Sequence, residues 1–384
     1  MVLPVLAGVF IKTKAPLMKI HYPETIRIDL TGRCNLKCKH CQASMFTGKR
    51  HQELSTLQWK NVFKEMAAEG AITLGFLGGE PFIRGDFIEL LIYAKELGLR
   101  TTVTTNGTVL TEEIIKQLVD QTNTFTVFSL DGPNSYTHDS IRGSGSFDKT
   151  LKAINLFSVY QEKKEKSLLG ISSVLHKNNI TNFCDIFDTA IKLRAQNLSI
   201  AVVHKGGRAI NNWHNLEVSA SELVGIGKKI AHKASLLRKD IEIRLDIFPA
   251  SYRDYLSRIH EIDTNQDIRL DVSGVKECYV QPDGRVFPSQ ICSEMLPEVL
   301  LGAKRSGIEF NDNSLKNKSF GDIWNGVEFS RFRNLLLSRQ YVASLNPCNT
   351  CRFSGLYCYP SISSFFINNS HSHPLCEYVN SIES

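Results

Sequence analysis

Cysteine is nearly missing from the middle of this chain. Between residues 42 and 277 only Cys184 occurs, although the 384-residue sequence holds ten cysteines. Strong charge is missing too. The formal net charge of +6, spread over 384 residues, does not make a nucleic-acid binder, although it favours an acidic partner. The opening run MVLPVLAGVFIK is too short to span a bilayer, has no basic stretch before it and shows no small-residue cleavage site. It reads as a packing strand or an arm, and the expected location is the cytoplasm, with no membrane partner. In a reducing compartment cysteines point to metal sooner than to disulfides. No solenoid-type repeat is visible, and the only low-complexity stretch is QEKKEK, a solvated helix end. A hydrophobic fraction of 42% and a charged fraction of 22% leave an ordinary globular chain, long enough for more than one domain.

The cysteines that are present fall into groups. Cys34, Cys38 and Cys41 lie within eight residues in GRCNLKCKHCQAS. Cys278 and Cys292 form a loose pair, and Cys348, Cys351, Cys358 and Cys376 close the chain. The region between the first and last groups alternates strand and helix patterns. TIRIDL, AITLGFLGGEP, LRTTVTTNG, TFTVFSLDG, SLLGISSVLHK and NLSIAVVHKGGRA read as strands, separated by amphipathic stretches such as STLQWKNVFKEMAAEG and GDFIELLIYAKELG. That order predicts parallel strands wrapped by helices, as an open sheet, a barrel or part of one. In such folds ligands gather at the C-terminal strand ends. The informative residues follow successive strands: the first three cysteines, Gly78-Gly79-Glu80-Pro81, Thr105-Asn106-Gly107, Ser129-Leu130-Asp131-Gly132 and Gly206-Gly207-Arg208-Ala209.

Three thiolates suit three irons of a [4Fe–4S] cube and leave the fourth iron open to a ligand, whereas an electron-carrying cluster takes four cysteines. Zinc wants four ligands, and His40, set between Cys38 and Cys41, would crowd a tetrahedral site.

CNLKCKHC resembles the signature loop of the radical S-adenosylmethionine (SAM) enzymes, with His40 where that family carries an aromatic residue or histidine. GGEP, FSLDGPNSYTHDSIRGSGSFDKTLKAI and GGRA resemble further elements of the family, in the same order. The resemblance implies a partial (β/α)6 barrel followed by a small cysteine-rich iron–sulfur domain. It implies SAM on the open iron, cleaved reductively to methionine and a 5′-deoxyadenosyl radical that takes a hydrogen atom from the substrate. It places Gly78, Gly79, Glu80, Asn106, Ser129 and Arg142 at SAM. Glu80 would meet the ammonium and Arg142 the carboxylate; without the motif Arg142 reads as a surface arginine in a glycine-rich loop. Asp131 reads as a structural cap.

The C-terminal run, with gaps of two, six and seventeen residues, is a ligand set for zinc or a full [4Fe–4S] cluster. With CYVQPDGRVFPSQIC it resembles the SPASM extension, which holds auxiliary clusters. Two family cysteine positions are Ser289 and Ile362 here. The expectation is one auxiliary cluster on Cys348, Cys351, Cys358 and Cys376; a second, on Cys278 and Cys292, would need other ligands. Cys184 reads as core, and His371 and His373 as solvated. The expected boundaries are an arm over 1–23, the barrel over 24–235, a bridge over 236–275 and the auxiliary-cluster domain over 276–384. This branch implies a ribosomally made peptide as substrate, perceived with the help of a separate leader-binding protein, and an electron donor such as flavodoxin or ferredoxin. The alternatives are a small molecule (sugar, amino acid or tetrapyrrole) and sulfatase maturation. No acid or base is assigned; Asp283, Tyr136, Tyr252 and Tyr357 are candidates by residue type.

Overall fold

The computed structural model describes residues 22–42, 53–166, 168–245, 249–262, 274–290, 292–293, 297–310, 312–337, 348–351 and 374–383. The first half follows the expected alternation: β1 (Thr25–Asp29), α1 (Thr56–Ala68), β2 (Thr73–Leu77), α2 (Phe87–Glu96), β3 (Arg100–Thr105), α3 (Glu112–Gln117), β4 (Phe125–Ser129), α4 (Ser135–Arg142), α5 (Ser146–Lys163), β5 (Leu169–Leu175), α6 (Asp185–Lys192) and β6 (Asn197–Val202). There follow α7 (Arg208–Leu216), α8 (Ala220–Leu237), β7 (Glu242–Leu245), α9 (Ala250–His260), β8 (Glu277–Val280), β9 (Val286–Phe287), α10 (Pro297–Arg305), α11 (Phe320–Trp324), α12 (Val327–Leu337) and α13 (Pro374–Glu383).

Local chemistry explains the elements. Ser55 caps α1 with a reciprocal Ser55–Gln58 box, and Trp59, Val62, Phe63 and Met66 recur at helical spacing and are buried. Strand residues such as Ile26, Ile28, Leu74 and Phe76 are fully buried, as parallel strands covered by helices require. Phe63 packs tilted on Phe76, and Phe76 meets Phe87 edge to face, down the α1–β2–α2 layer. Each such side chain contributes about 1.5–3 kcal/mol of burial.

The strands form one sheet in the order β7-β6-β5-β4-β3-β2-β1-β8-β9. β1 to β7 are parallel throughout, as expected for the first six. Two additions were not legible. β7, inside the stretch read as a bridge, pairs with β6. β8, the first strand of the C-terminal part, pairs in parallel with β1, so barrel and C-terminal part share a sheet. β8 and β9 form the PDG hairpin. Among the described residues no helix is long and apolar enough to cross a membrane.

A buried pair crosses that seam. The Tyr279 hydroxyl donates to Asp29 Oδ2 at 2.6 Å, while Asp29 Oδ1 has no hydrogen-bond partner. Burial pushes the Asp29 carboxyl up to about 7, against the opposing hydrogen bond from Tyr279. A carboxyl raised on folding favours the native state while protonated, and that advantage is lost as pH rises through the folded value. Between about pH 5 and pH 8 the thermal midpoint of the wild type should therefore fall more than that of Asp29→Asn. Parallel pH profiles for the two proteins would contradict this placement of Asp29.

Candidate active site

The cysteine loop leaves β1 and is anchored at both ends. The Arg84 guanidinium donates to Leu30 O and Leu54 O, at 3.2 and 3.1 Å, and pairs with Asp86 at 2.6 Å. Glu53 accepts from the Thr31 hydroxyl at 2.6 Å and from Gly32 N. The loop then lies against the turn after β2. Gly79 N donates to Thr31 O and Glu80 N to Arg33 O, at 2.9 and 2.8 Å. A Cβ on Gly79 would sit 1.9 Å from Arg33 O, and one on Gly78 would sit 2.9 Å from Asp29 Cβ. These glycines are needed first for contact with the cysteine loop itself, and only second for approach to a ligand.

One cavity of about 290 Å³ opens at the C-terminal strand ends. Cys34, Cys38, Cys41, Gly78, Gly79, Glu80, Asn106, Ser129 and Arg142 all line it, so every residue placed at the cluster and at SAM from sequence converges there. Cys38 is buried and its thiol is pushed up to about 11 by burial, with the Arg142 charge opposing. Burial also raises Cys34. Thiolates in such surroundings call for a metal cation beside them. Among the described residues no three His, Cys, Asp or Glu side chains close on one point as ligands of a single ion would. Three thiols around one cavity, with polar groups of both signs beyond them, suit a three-cysteine cluster and a zwitterionic ligand.

Glu80 carries one of those signs. It is 1% exposed and accepts from the Thr105 hydroxyl at 2.8 Å, Asn106 N at 2.8 Å and Phe82 N at 3.3 Å. Burial still pushes it up to about 7, so an ammonium ion beside it would hold it ionised. Arg142 carries the other. It ends helix α4, capped by Asn134, and is not the surface loop residue that its glycine-rich setting suggests. Its Nε donates to Asp131 Oδ2 at 2.6 Å. Asp131 is therefore more than a cap. It is fully buried, and it also accepts from Val174 N. Burial works to raise Asp131, but Arg142 with His40 and His138 outweighs it and holds the carboxyl well below the usual range. The same pairing keeps Arg142 charged against the cost of its own burial. His40 lines the cavity 3.6 Å from Asp131 and is neutral, its value lowered to about 3 by burial.

Asn106 is a brace as well as a lining residue. Its amide donates to Asn35 Oδ1 at 3.0 Å and reaches Cys34 Sγ at 3.9 Å, and its Oδ1 accepts from Thr108. Arg208, within the GGRA motif, clamps the far end of the loop. Its N donates to Cys41 O at 2.9 Å and its Nε to Cys38 O at 3.0 Å. Thr105, Arg208 and Gln290 were not assigned as site residues; Thr105 and Arg208 had a signal in their motifs after the third and sixth strands, and Gln290 had none. Among the described residues Gln290 is the one lining residue supplied by the C-terminal part.

The other sequence candidates lie elsewhere. Tyr136 is 88% exposed, Tyr252 is buried with its hydroxyl on Val224 O, and Asp283 pairs with Arg285; none of the three lines the cavity. Cys278 and Cys292 are fully buried but belong to two different apolar clusters, the first with Ile26 and Val280, the second with Tyr279 and Phe332. Cys348 and Cys351 share a turn, and Cys376, on α13, accepts from the Ser251 hydroxyl at 3.3 Å. Cys358, Tyr357, His371, His373 and Ile362 lie outside the described residues. Cys184 packs against the main core, as expected.

The radical SAM superfamily model matches residues 28–189. The mycofactocin maturase MftC of Mycolicibacterium smegmatis is 32% identical over 331 residues, covering 86% of this chain and 77% of that one. This chain belongs to the radical SAM superfamily. An AdoMet-dependent heme synthase of Methanosarcina barkeri is 28% identical, over 80% of this chain and 84% of its own length. A PqqA peptide cyclase of Rhodopseudomonas palustris is 27% identical, over 86% and 80%. Among solved structures, Streptococcus suis SuiB bound to S-adenosylmethionine superposes with a TM-score of 0.63 at 16% identity, covering 95% of this chain and 75% of that one. As a radical SAM enzyme the chain uses a [4Fe–4S] cluster and SAM, and the cavity residues fit both.

Two substitutions separate the two halves of the site. Gly79→Ala should prevent cluster loading, read as iron content after anaerobic reconstitution, because the added methyl collides with the backbone of the cysteine loop. Glu80→Gln should keep full iron but bind SAM about 10- to 100-fold more weakly by calorimetry, the size of a lost charge-assisted hydrogen bond. Full iron in Gly79→Ala would contradict the first, and unchanged SAM affinity in Glu80→Gln the second.

Proposed function

We propose that this radical SAM enzyme modifies a ribosomally made peptide. The observation that carries this reading is similarity along most of the chain to a peptide cyclase and to a maturase, covering 86% of this chain in each case. Cys34, Cys38 and Cys41 hold the cluster, Glu80 takes the SAM ammonium and Arg142, steadied by Asp131, takes the carboxylate. When bound, cluster and SAM supply a 5′-deoxyadenosyl radical that abstracts a hydrogen atom from the substrate. Ser129 donates to SAM oxygens, and Asn106 holds the cysteine loop to the turn that carries Glu80. The apolar wall of Leu77, Val174 and Val203 keeps stray hydrogen donors away from the radical.

Cys348, Cys351, Cys358 and Cys376 hold one auxiliary cluster in this reading. Their spacing supports it, and the burial of Cys278 and Cys292 in different apolar clusters speaks against a second cluster shared by that pair. A leader-binding protein presents the peptide, and an external carrier supplies the electron.

A second reading has its own support. The heme synthase similarity covers 80% of this chain, which favours a tetrapyrrole substrate.

The test is co-expression under anaerobic conditions with the short peptide encoded beside the gene, using wild type and Cys34→Ala. Peptide modification predicts a mass change only with wild type: loss of a hydrogen pair for a crosslink or oxidation, or deuterium gain from heavy water for epimerisation. An unaltered peptide, together with conversion of an iron porphyrin substrate, would replace the first reading with the second. Separately, Cys351→Ala should lower iron content by about half, since one four-iron cluster of two is lost. Unchanged iron would remove the auxiliary cluster from these cysteines.

A further inference from the structure

The outer face of the cysteine loop is basic, and it is assembled from two segments far apart in the chain. Residues 33–42 contain Arg33, Lys37 and Lys39 and no acidic residue; residues 195–216 contain Lys205 and Arg208 and no acidic residue. The fold joins them. Arg208 binds the carbonyls of Cys38 and Cys41, and Asn212 Nδ2 reaches Lys39 O at 3.5 Å. Lys37, Lys39 and Lys205 are exposed, and none of the three forms an ion pair among the described residues. Other surface lysines are neutralised by a carboxylate, as in Lys60–Glu89, Lys116–Glu112 and Lys233–Asp188. Lys205 is held over the Trp213 ring, with Nζ 5.8 Å from its centre.

This face borders the cluster site, because Lys37 and Lys39 alternate with Cys34, Cys38 and Cys41 along one loop. Cys34 and Cys41 are partly exposed, whereas Cys38, Glu80 and Asp131 are buried. Each SAM cleaved takes one electron from outside the chain: the carrier is oxidised by one electron, and the sulfonium C–S bond breaks to methionine and the adenosyl radical. A protein that delivers this electron at the partly exposed Cys34 and Cys41 meets Lys37 and Lys39 beside them. Unpaired cations on both sides of that approach attract negative charge and steer encounter, strongly at low salt.

We propose that Lys37, Lys39 and Lys205 form the docking face for a small acidic one-electron carrier, a flavin or iron–sulfur protein. The proposal rests on the radical SAM chemistry and not on the choice of substrate, because peptide and tetrapyrrole readings need the same electron.

The test uses the reconstituted holoenzyme carrying K37E, K39E and K205E together, with the three Lys→Gln changes as a neutral counterpart. 5′-Deoxyadenosine formation is followed with two reductants, dithionite and an acidic flavodoxin kept reduced by its reductase. With dithionite, both variants should match wild type, with equal iron and SAM affinity. With flavodoxin at low salt, the glutamate variant should be slower by about tenfold or more and the glutamine variant intermediate. Added salt should slow the wild type and leave the glutamate variant nearly unaffected. Equal rates with flavodoxin would overturn the proposal. So would equal losses with both reductants. Loss confined to peptide processing under dithionite would make this face a substrate surface and overturn it as well.

Discussion

The site depends on two backbone hydrogen bonds, Gly79 N to Thr31 O and Glu80 N to Arg33 O. They fasten the turn after β2 to the loop after β1, and they leave no room for a side chain at Gly79. Cys34 and Glu80 are both registered to this contact. Cys34 follows Arg33 directly, and Glu80 follows Gly79. Asn106 then bonds to both partners, through its main-chain N–H to Glu80 and through its amide to Asn35 and Cys34. Groups for the metal and for the zwitterion are thereby placed by the same short piece of backbone, with no side-chain freedom between them.

Burial turns this frame into chemistry. Glu80 and Asp131 are both fully buried carboxyls, yet they differ in state. Glu80 has hydrogen bonds from Asn106, Thr105 and Phe82 and only the more distant charge of Arg142, and is pushed up to about 7 by burial, whereas Asp131 has Arg142 directly against it and stays ionised. The first is poised for a cation that arrives with the ligand. The second already has its cation and uses it to aim Arg142 at the cavity. Two carboxyls in one site are thereby set to different charge states by environment alone.

Much of this was legible before the fold was known. Strand-to-helix alternation predicts the parallel sheet, because each buried strand needs an apolar run and each helix an apolar stripe. The three-cysteine spacing, with GGEP, Ser129 and Arg142, predicts a common mouth, since ligands collect where strands end. What stayed hidden depends on contacts between distant segments. Arg208 reaches a carbonyl 170 residues away, Tyr279 meets Asp29 across 250, and β8 joins β1 by register with no local mark. The short helix α4 was missed because glycines flank it, although Asn134 is a good cap. The pairing of Cys278 with Cys292 looked open in sequence, but the two thiols belong to separate apolar clusters.

The central claim is that the Gly79–Glu80 turn holds the SAM ammonium beside the three-cysteine cluster. The most direct measurement is electron–nuclear double resonance on the reduced holoenzyme with SAM labelled with nitrogen-15 at its amino group. The account predicts a nitrogen hyperfine coupling to the cluster in wild type, weakened or lost in Glu80→Gln. A cluster that binds SAM with no such coupling in the wild type would contradict it.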